Sequence, residues 1–286
     1  MPAASPDSSP PASLAETARQ HLRTRHLGRP MEAHATLPST NERALRWAED
    51  GAPEGSTVVA DHQTDGRGRQ GRGWQARPGQ SLTFSVVLRP GGFSRQRAAP
   101  RPACLRRLLP LAGGLAVCEA VAEVAGAPTP RLKWPNDVLL GGRKCCGVLA
   151  ETVSAGSATG PVVLGIGLNV GQRGFPSVPD EATPPTSLLL AAGPPAPERA
   201  ALLADVLARL EACYDTLLAG KGRSVRDACT ERLANRGKRV AVRRLASGER
   251  IAGIVRGLAP DGALRLQTSA GTERTLRAGD VTVMGE

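Results

Sequence analysis

Apolar residues recur along this chain in two rhythms. From 81 to 89, Leu82, Phe84, Val86 and Leu88 alternate with Thr83, Ser85 and Val87, the period of a half-buried strand, and 57–60 reads as a short buried one. From 105 to 125 the apolar stretch has the length and spacing of a buried helix. Shorter runs at 131–134, 138–140, 144–153 and 162–170 predict strands, with Gly141-Gly142 and 154–160 as hairpin turns; successive antiparallel neighbours imply a mixed sheet. Helical periodicity returns at 186–192, 197–218 and 224–234. Ser39-Thr40-Asn41-Glu42 ahead of Ala44, Leu45 and Ala48 has the S-x-x-E form of a capping box and predicts a helix start.

Past Asn235-Arg236-Gly237 the texture shifts to short strands at 239–243, 250–258, 263–267, 273–276 and 281–283, with Pro260-Asp261-Gly262 as a turn, the spacing of a small barrel. The first dozen residues are Pro, Ser and Ala without periodicity, and a short helix follows over 14–26. The expected organisation is a flexible tail over 1–30, a large domain over 31–235 and a small barrel over 236–286.

Composition narrows the function classes. Apolar residues make 41% of the chain but aromatics only 2%, so Leu, Val and Ala must build the core, which excludes wholesale disorder. The net charge of +11 raises nucleic acid as a partner. The arginines, however, are scattered from Arg19 to Arg277, and one Tyr and three Phe leave few platforms for stacked bases, so a solvated basic surface is the better reading. Six cysteines without C-x-x-C spacing or a histidine partner read as reduced thiols of a cytoplasmic protein. The longest apolar stretch is broken by Glu119 and Glu123, so no membrane span is expected, nor is a secretory signal evident.

Three clusters carry candidate chemistry. In Gly66-Arg67-Gly68-Arg69-Gln70-Gly71-Arg72-Gly73-Trp74, glycines let backbone amides approach an oxyanion and arginines add charged forks, which fits an anion clamp; a solvated RGG-type surface loop fits as well. It matches neither a Walker loop nor a dinucleotide-binding turn. Lys133-Trp134-Pro135-Asn136-Asp137, with Lys144 and Gly147 across a turn, gathers two of only four lysines beside an Asp and an Asn; it is either a charge-handling site or a decorated hairpin. Gly165-Ile166-Gly167-Leu168-Asn169 places glycines inside a strand, for close approach of another group or for plain tight packing.

The joint order of these pieces resembles the biotin protein ligases, from about Ser39 to the C-terminus. Ser39-Thr40-Asn41, His62-Gln63-Thr64 running into the glycine–arginine stretch and Trp74, Lys133 to Asp137, Arg143-Lys144, Gly147 to Glu151, Gly165 to Val170 and Thr186-Ser187-Leu188 follow one another as in that family. The resemblance implies an α+β fold: a mixed-sheet catalytic domain with helices on one face, of the class II synthetase-like, biotin–lipoate ligase type, and an SH3-like C-terminal barrel. It implies ATP and biotin as substrates, magnesium with the ATP, and a two-step reaction through biotinyl-5′-AMP. The acceptor is a lysine on the biotin carboxyl carrier domain of a carboxylase.

By position, the resemblance gives Ser39, Thr40, Asn41, Gln63, Gly66, Arg67, Gly68, Arg69, Lys144 and Gly147 to biotin. It gives Arg67, Arg69, Arg72, Trp74, Lys133, Asn136, Lys144 and Asn169 to ATP and the adenylate, with Lys144, Arg69 and Asp137 as the catalytic group. The arginine clamp, with three like charges and uncompensated donors, is expected to be mobile until ligand arrives.

Asp65 ahead of the clamp and the Cys145-Cys146 pair depart from the family's usual residues. The cysteines are expected to pack inertly, with a redox role as the alternative. About 38 residues before Ser39 are too few for a winged helix-turn-helix, so the short class without sequence-specific DNA binding is expected. Family relatives that pair through the central sheet leave a homodimer as an option. Lipoate ligation or octanoyl transfer, related in fold, is the competing enzyme reading, and an RGG-type nucleic-acid binder the non-catalytic one.

Overall fold

The computed structural model describes residues 11–75, 77–90, 102–153, 160–179, 182–244 and 247–284. The chain runs α1 (Pro11–His21), β1 (Met31–Leu37), α2 (Thr40–Glu49), β2 (Thr57–Gln63), β3 (Ser81–Leu88), α3 (Pro102–Ala122), β4 (Arg131–Lys133), β5 (Asp137–Leu140), β6 (Arg143–Thr152) and β7 (Val162–Asn169). Then come α4 (Leu188–Ala192), α5 (Arg199–Leu218) and α6 (Gly222–Glu231), followed by β8 (Arg239–Arg243), β9 (Arg250–Leu258), β10 (Leu264–Gln267), β11 (Glu273–Leu276) and β12 (Asp280–Val283). Strands β1 to β7 form one mixed sheet in the order β1-β2-β3-β7-β6-β5-β4, parallel between β1 and β2 and antiparallel elsewhere. Strands β8 to β12 form a five-stranded antiparallel sheet of the SH3-like kind.

Alternation along the strands decides which face is the core. Leu82, Phe84, Val86 and Leu88 of β3 and Val162, Leu164, Ile166 and Leu168 of β7 point toward α1, α3 and α5 and are buried with them. The opposite face is thinner. There α2 seals one end with Ala44 and Ala48 against Val58, Ala60, Val87 and Val163, and the rest of that face is left for chemistry. Gly141 and Gly142 both adopt positive φ between Leu140 and Arg143, the two-residue turn that a right-twisted hairpin requires.

Several expectations change. Strand β3 is buried along its whole length rather than on one face, because Thr83 and Ser85 are covered and satisfied: Thr83 Oγ1 donates to the Ala60 carbonyl, and Ser85 Oγ to Thr40 and Asn41. Strand β1 is not among the expected strands, although Met31, Ala33, Ala35 and Leu37 do alternate with Glu32, His34 and Thr36; it is an edge strand carrying Glu32, which Arg43 of α2 grips through Nε and Nη2. Ser39 does stand at the N-cap of α2, yet its side chain makes no capping bond, and Glu42 turns outward to arginines. Expectations for 1–10 and for the turn at 154–159 fall outside the described residues.

The stretch expected as tail is also partly core. Helix α1 begins at Pro11 and stops at His21 rather than spanning 14–26, and it buries Leu14, Ala15 and Ala18 against α5. The chain after it is pinned by Glu211 of α5, whose carboxylate accepts backbone N–H bonds from Arg25, His26 and Leu27 at 2.7, 2.8 and 2.9 Å. Burial alone would raise the pKa of Glu211, but the three N–H donors outweigh it and the net pKa lies below the ordinary 4.5. The resulting stability is fully present above the unfolded carboxyl's range and is lost as the pH falls through the folded value. Glu211→Gln is therefore expected to cost about 2 kcal/mol at pH 7, roughly 4–8 °C in thermal midpoint. The gap to the unaltered chain should close as a thermal melt series is taken below pH 4.5.

Cys145 and Cys146 are fully buried, and burial pushes both thiols well above their ordinary range, so they are neutral packing groups, as expected. Among the described residues no helix is long and apolar enough to cross a membrane, and no group of three His, Cys, Asp or Glu converges as a metal cluster would.

Candidate active site

The open face of the large sheet floors a cavity of about 910 Å³. Its walls are the start of α2, the glycine–arginine segment, the β4–β5 turn, the segments 175–179 and 182–185 and the near edge of the small sheet. Of the residues that the family resemblance gives to biotin, nucleotide or catalysis, all but Gly66 line it.

The polar end is built at the N-terminus of α2. Ser39, Thr40 and Asn41 are buried there, and Gln63 at the end of β2 reaches back so that its Oε1 accepts from the Thr40 backbone N–H at 2.7 Å and from Thr40 Oγ1 at 3.0 Å. Asn41 Oδ1 accepts from Ser85 Oγ, while its Nδ2 donates to Glu151 at 2.7 Å. A Cβ on Gly165 would overlap Asn41, so the first glycine of the β7 motif exists to let α2 approach. Close approach, not plain packing, is thus the reason for both glycines: a Cβ on Gly167 would sit 2.5 Å from the Trp74 indole.

The cationic end lies at the start of β6. Lys144 Nζ stands 2.8 Å from Asp137 Oδ1 and 5.9 Å from the centre of the Trp74 ring, folded over Gly147. The Lys144 backbone is fixed by the following segment, donating to the Pro184 carbonyl and accepting from the Thr186 N–H, both at 2.8 Å. Lys133, whose ammonium bonds Thr183 Oγ1, has its pKa lowered by burial, with Asp137 opposing and Lys144 adding to the shift. Gly147 pairs with Gly167 across the sheet, and Gly165 lies two residues further on. At standard strand spacings the backbone at Gly147, under Lys144, and that at Gly165, under Asn41, are therefore roughly 8 Å apart.

The glycine–arginine segment is a small hairpin rather than an unpaired loop. Trp74 N–H donates to the Gly66 carbonyl at 2.7 Å, Gly68 N–H to the Arg72 carbonyl at 2.6 Å, and Arg67 bridges Gly73. Gly66 is needed because a Cβ there would run into the Trp74 carbonyl. The expected cluster of unpaired like charges is absent, because each arginine has its own acceptor from a different element. Arg67 pairs with Glu42 of α2 at 2.8 Å, Arg69 donates to Asn136 Oδ1 at 3.1 Å, and Arg72 pairs with Asp280 of β12 at 2.6 Å. Burial lowers the pKa of Arg69, with Asp280 and Asp137 opposing, and a guanidinium stays charged under such a shift.

Asn136 and Asn169 are both held by internal bonds. Asn136 Nδ2 donates to the Val148 carbonyl at 2.8 Å while Oδ1 steadies Arg69. Asn169, only 4% exposed, donates to the Thr186 carbonyl and accepts from Gln172. Trp74 lies with its indole on the glycine floor, and its buried Nε1–H has no acceptor among the described residues. Not expected at the site were Thr183, the barrel's Arg243, Arg250 and Asp280, and Glu42, which the sequence suggested only as a helix cap. No local motif marks their place in the site, and the barrel residues lie about a hundred positions or more beyond the lysines with which they share the cavity.

Comparison with known proteins places this geometry. Residues 33–169 match the biotin/lipoate A/B protein ligase family, and 237–284 match the biotin protein ligase C-terminal domain. The biotin–[acetyl-CoA-carboxylase] ligase of Mycobacterium tuberculosis is 36% identical over 256 residues, covering 88% of each chain. The chain belongs to the biotin protein ligase family. Another biotin protein ligase relative, the bifunctional ligase/repressor BirA of Bacillus subtilis, is 36% identical over 206 residues, which is 71% of this chain but 60% of that longer protein. The biotin protein ligase of Aquifex aeolicus solved in complex with biotin and ATP superposes with a TM-score of 0.71 at 28% identity, covering 92% of this chain and all of that one.

Proposed function

We propose that this chain is an ATP-dependent biotin protein ligase that makes biotinyl-5′-AMP and passes biotin to a lysine of a biotin carboxyl carrier domain. The observation that carries the reading is a single cavity in which a buried polar end and a dense cationic end stand about one biotin length apart. In the first step a carboxylate oxygen of biotin bonds to the α-phosphorus of ATP and pyrophosphate leaves. In the second, the carrier's lysine amine attacks the acyl carbon, AMP leaves, and the amine's proton passes to Asp137 or to water.

Ser39, Thr40, Asn41 and Gln63 would meet the ureido ring, whose donors and acceptors must be replaced on leaving water. Gly147 and Gly167 let the Trp74 indole lie flat on the sheet, where it would present its face to the acyl chain. Carboxylate and phosphate repel one another, so Lys144, Arg69 and Lys133 would gather them by concentrating positive charge in a site that excludes water. Asn136 would aim Arg69, and Asn169 would brace the wall rather than reach the nucleotide directly. Arg67, Arg72, Gly66 and Gly68 keep the hairpin over the ligand, and the unpartnered Trp74 Nε1–H offers a ligand one donor. Magnesium entering with ATP neutralises phosphate charge. The cavity's described carboxylates near the lysines, Asp137 and Asp280, each already face a cation, so phosphate oxygens would hold most of the ion.

Incubating the chain with ATP, a carrier domain and either biotin or lipoate, then weighing the carrier by mass spectrometry, tests this assignment. A gain of one biotinyl group with biotin alone is expected; modification by lipoate, or by neither, would overturn it.

A further inference from the structure

We propose that Asp280, on the edge strand of the C-terminal barrel, is a positioning residue that holds the tip of the arginine hairpin over the cavity. Two residues of that tip converge on the one carboxylate: Arg72 Nη2 lies 2.6 Å from Oδ2, and Gln70 Nε2 lies 3.3 Å from Oδ1. Arg243 approaches Oδ2 from the adjacent strand at 3.4 Å, directly opposite Asp280 in the β8–β12 register. Arg69 directly precedes Gln70 in the same turn, and Gln70 itself holds a left-handed backbone at φ 61°, a conformation uncommon for a residue with a side chain.

The barrel is able to serve as such a fixed post. Trp134, 4% exposed and in the same turn as Asn136 and Asp137, donates its Nε1–H to the Gly262 carbonyl at 3.0 Å. Gly262 in turn packs on Leu108 and Leu111 of α3. The barrel is therefore keyed to the β4–β5 turn on one side and to the hairpin tip on the other. Arg67 and Arg69 take their acceptors from the large domain; Arg72 takes its from some two hundred residues away. The Arg72 side chain is 59% exposed, and ion pairs of that exposure add little to folding stability. What the contact supplies is placement, through Arg72 and Gln70, of the Arg69 that the reading above assigns to the two reacting anions.

The test rests on that reading but contains one arm that does not. In the ligand-free full-length chain, Asp280→Asn is expected to raise amide hydrogen exchange across the peptide 66–74 about tenfold, with β3 and β7 unchanged and the thermal midpoint nearly constant. In biotin-dependent ATP–pyrophosphate exchange it should raise the KM for ATP about tenfold while kcat falls less than threefold, and Asp280→Glu should restore both readings. Hairpin exchange within twofold of the unaltered chain, or a loosened hairpin with an unchanged KM, would overturn the proposal. An unaltered chain that shows no pyrophosphate exchange would instead remove the ligase reading itself.

Discussion

Lys144→Ala is expected to reduce biotin-dependent ATP–pyrophosphate exchange by at least a hundredfold, with the chain still folded. The ammonium is held by Asp137 at 2.8 Å and laid over Gly147 beside Trp74, so it has one place to act, the point where a carboxylate and an α-phosphate must meet. Removing one preorganised charge from such a point typically costs about 10²–10³ in rate. Lys144 is also 30% exposed, so its loss leaves no large cavity in the core and no buried unpaired group other than Asp137. Lys144→Arg should recover only a small part, because a planar fork cannot occupy the site of a compact ammonium resting on glycine. Exchange within threefold of the unaltered chain, measured at saturating biotin and ATP, would remove Lys144 from the first step.

Arg69→Gly should act on retention instead. Arg69 stands between Asn136 and the cavity, half-buried, and the loss of one or two charge-assisted bonds to an adenylate corresponds to roughly 10–100-fold faster release. The variant should still form the intermediate and let it escape, so that lysines on bystander proteins become biotinylated in proportion to time and concentration. A stopped-flow or filter-retention measurement giving an unchanged dissociation rate for the adenylate would contradict this.

What the sequence made legible, and what it hid, divides along physical lines. Clusters whose chemistry is local were visible: the β7 glycines, the two lysines beside Asp137, and the arginines between glycines each advertise a close approach or a charge within a few residues. Helix and strand periods were equally plain where one face meets a core, as in α5 and β7. The edge strand β1 left a weaker trace: Met31, Ala33, Ala35 and Leu37 alternate with Glu32, His34 and Thr36, but two of the four apolar side chains are single methyls and only Met31 and Leu37 are buried. The full burial of β3 was hidden for another reason: Thr83 and Ser85 look solvent-facing until α2 covers them.

The paired state of the arginines is the feature least legible in the sequence, because it is a matter of distance along the chain. Glu42, Asn136 and Asp280 lie 25, 67 and 208 residues from their partners, and nothing in the spacing of charges tells which acidic or amide group will arrive. The same holds for Glu211, 184 residues from the Leu27 amide that it ties down. A polar network closed over such separations is readable only once the sheet has folded, which is why the cationic cluster could be recognised in advance but not the acceptors that keep it in order.

The most direct test is to mix the purified chain with biotin, ATP and magnesium, without any carrier, and to look for the enzyme-bound mixed anhydride by mass spectrometry. Roughly one biotinyl-5′-AMP per active chain, with stoichiometric release of pyrophosphate, is the result predicted here. No anhydride at saturating biotin and ATP, from a chain whose fold and biotin binding are intact, would contradict the account at its root.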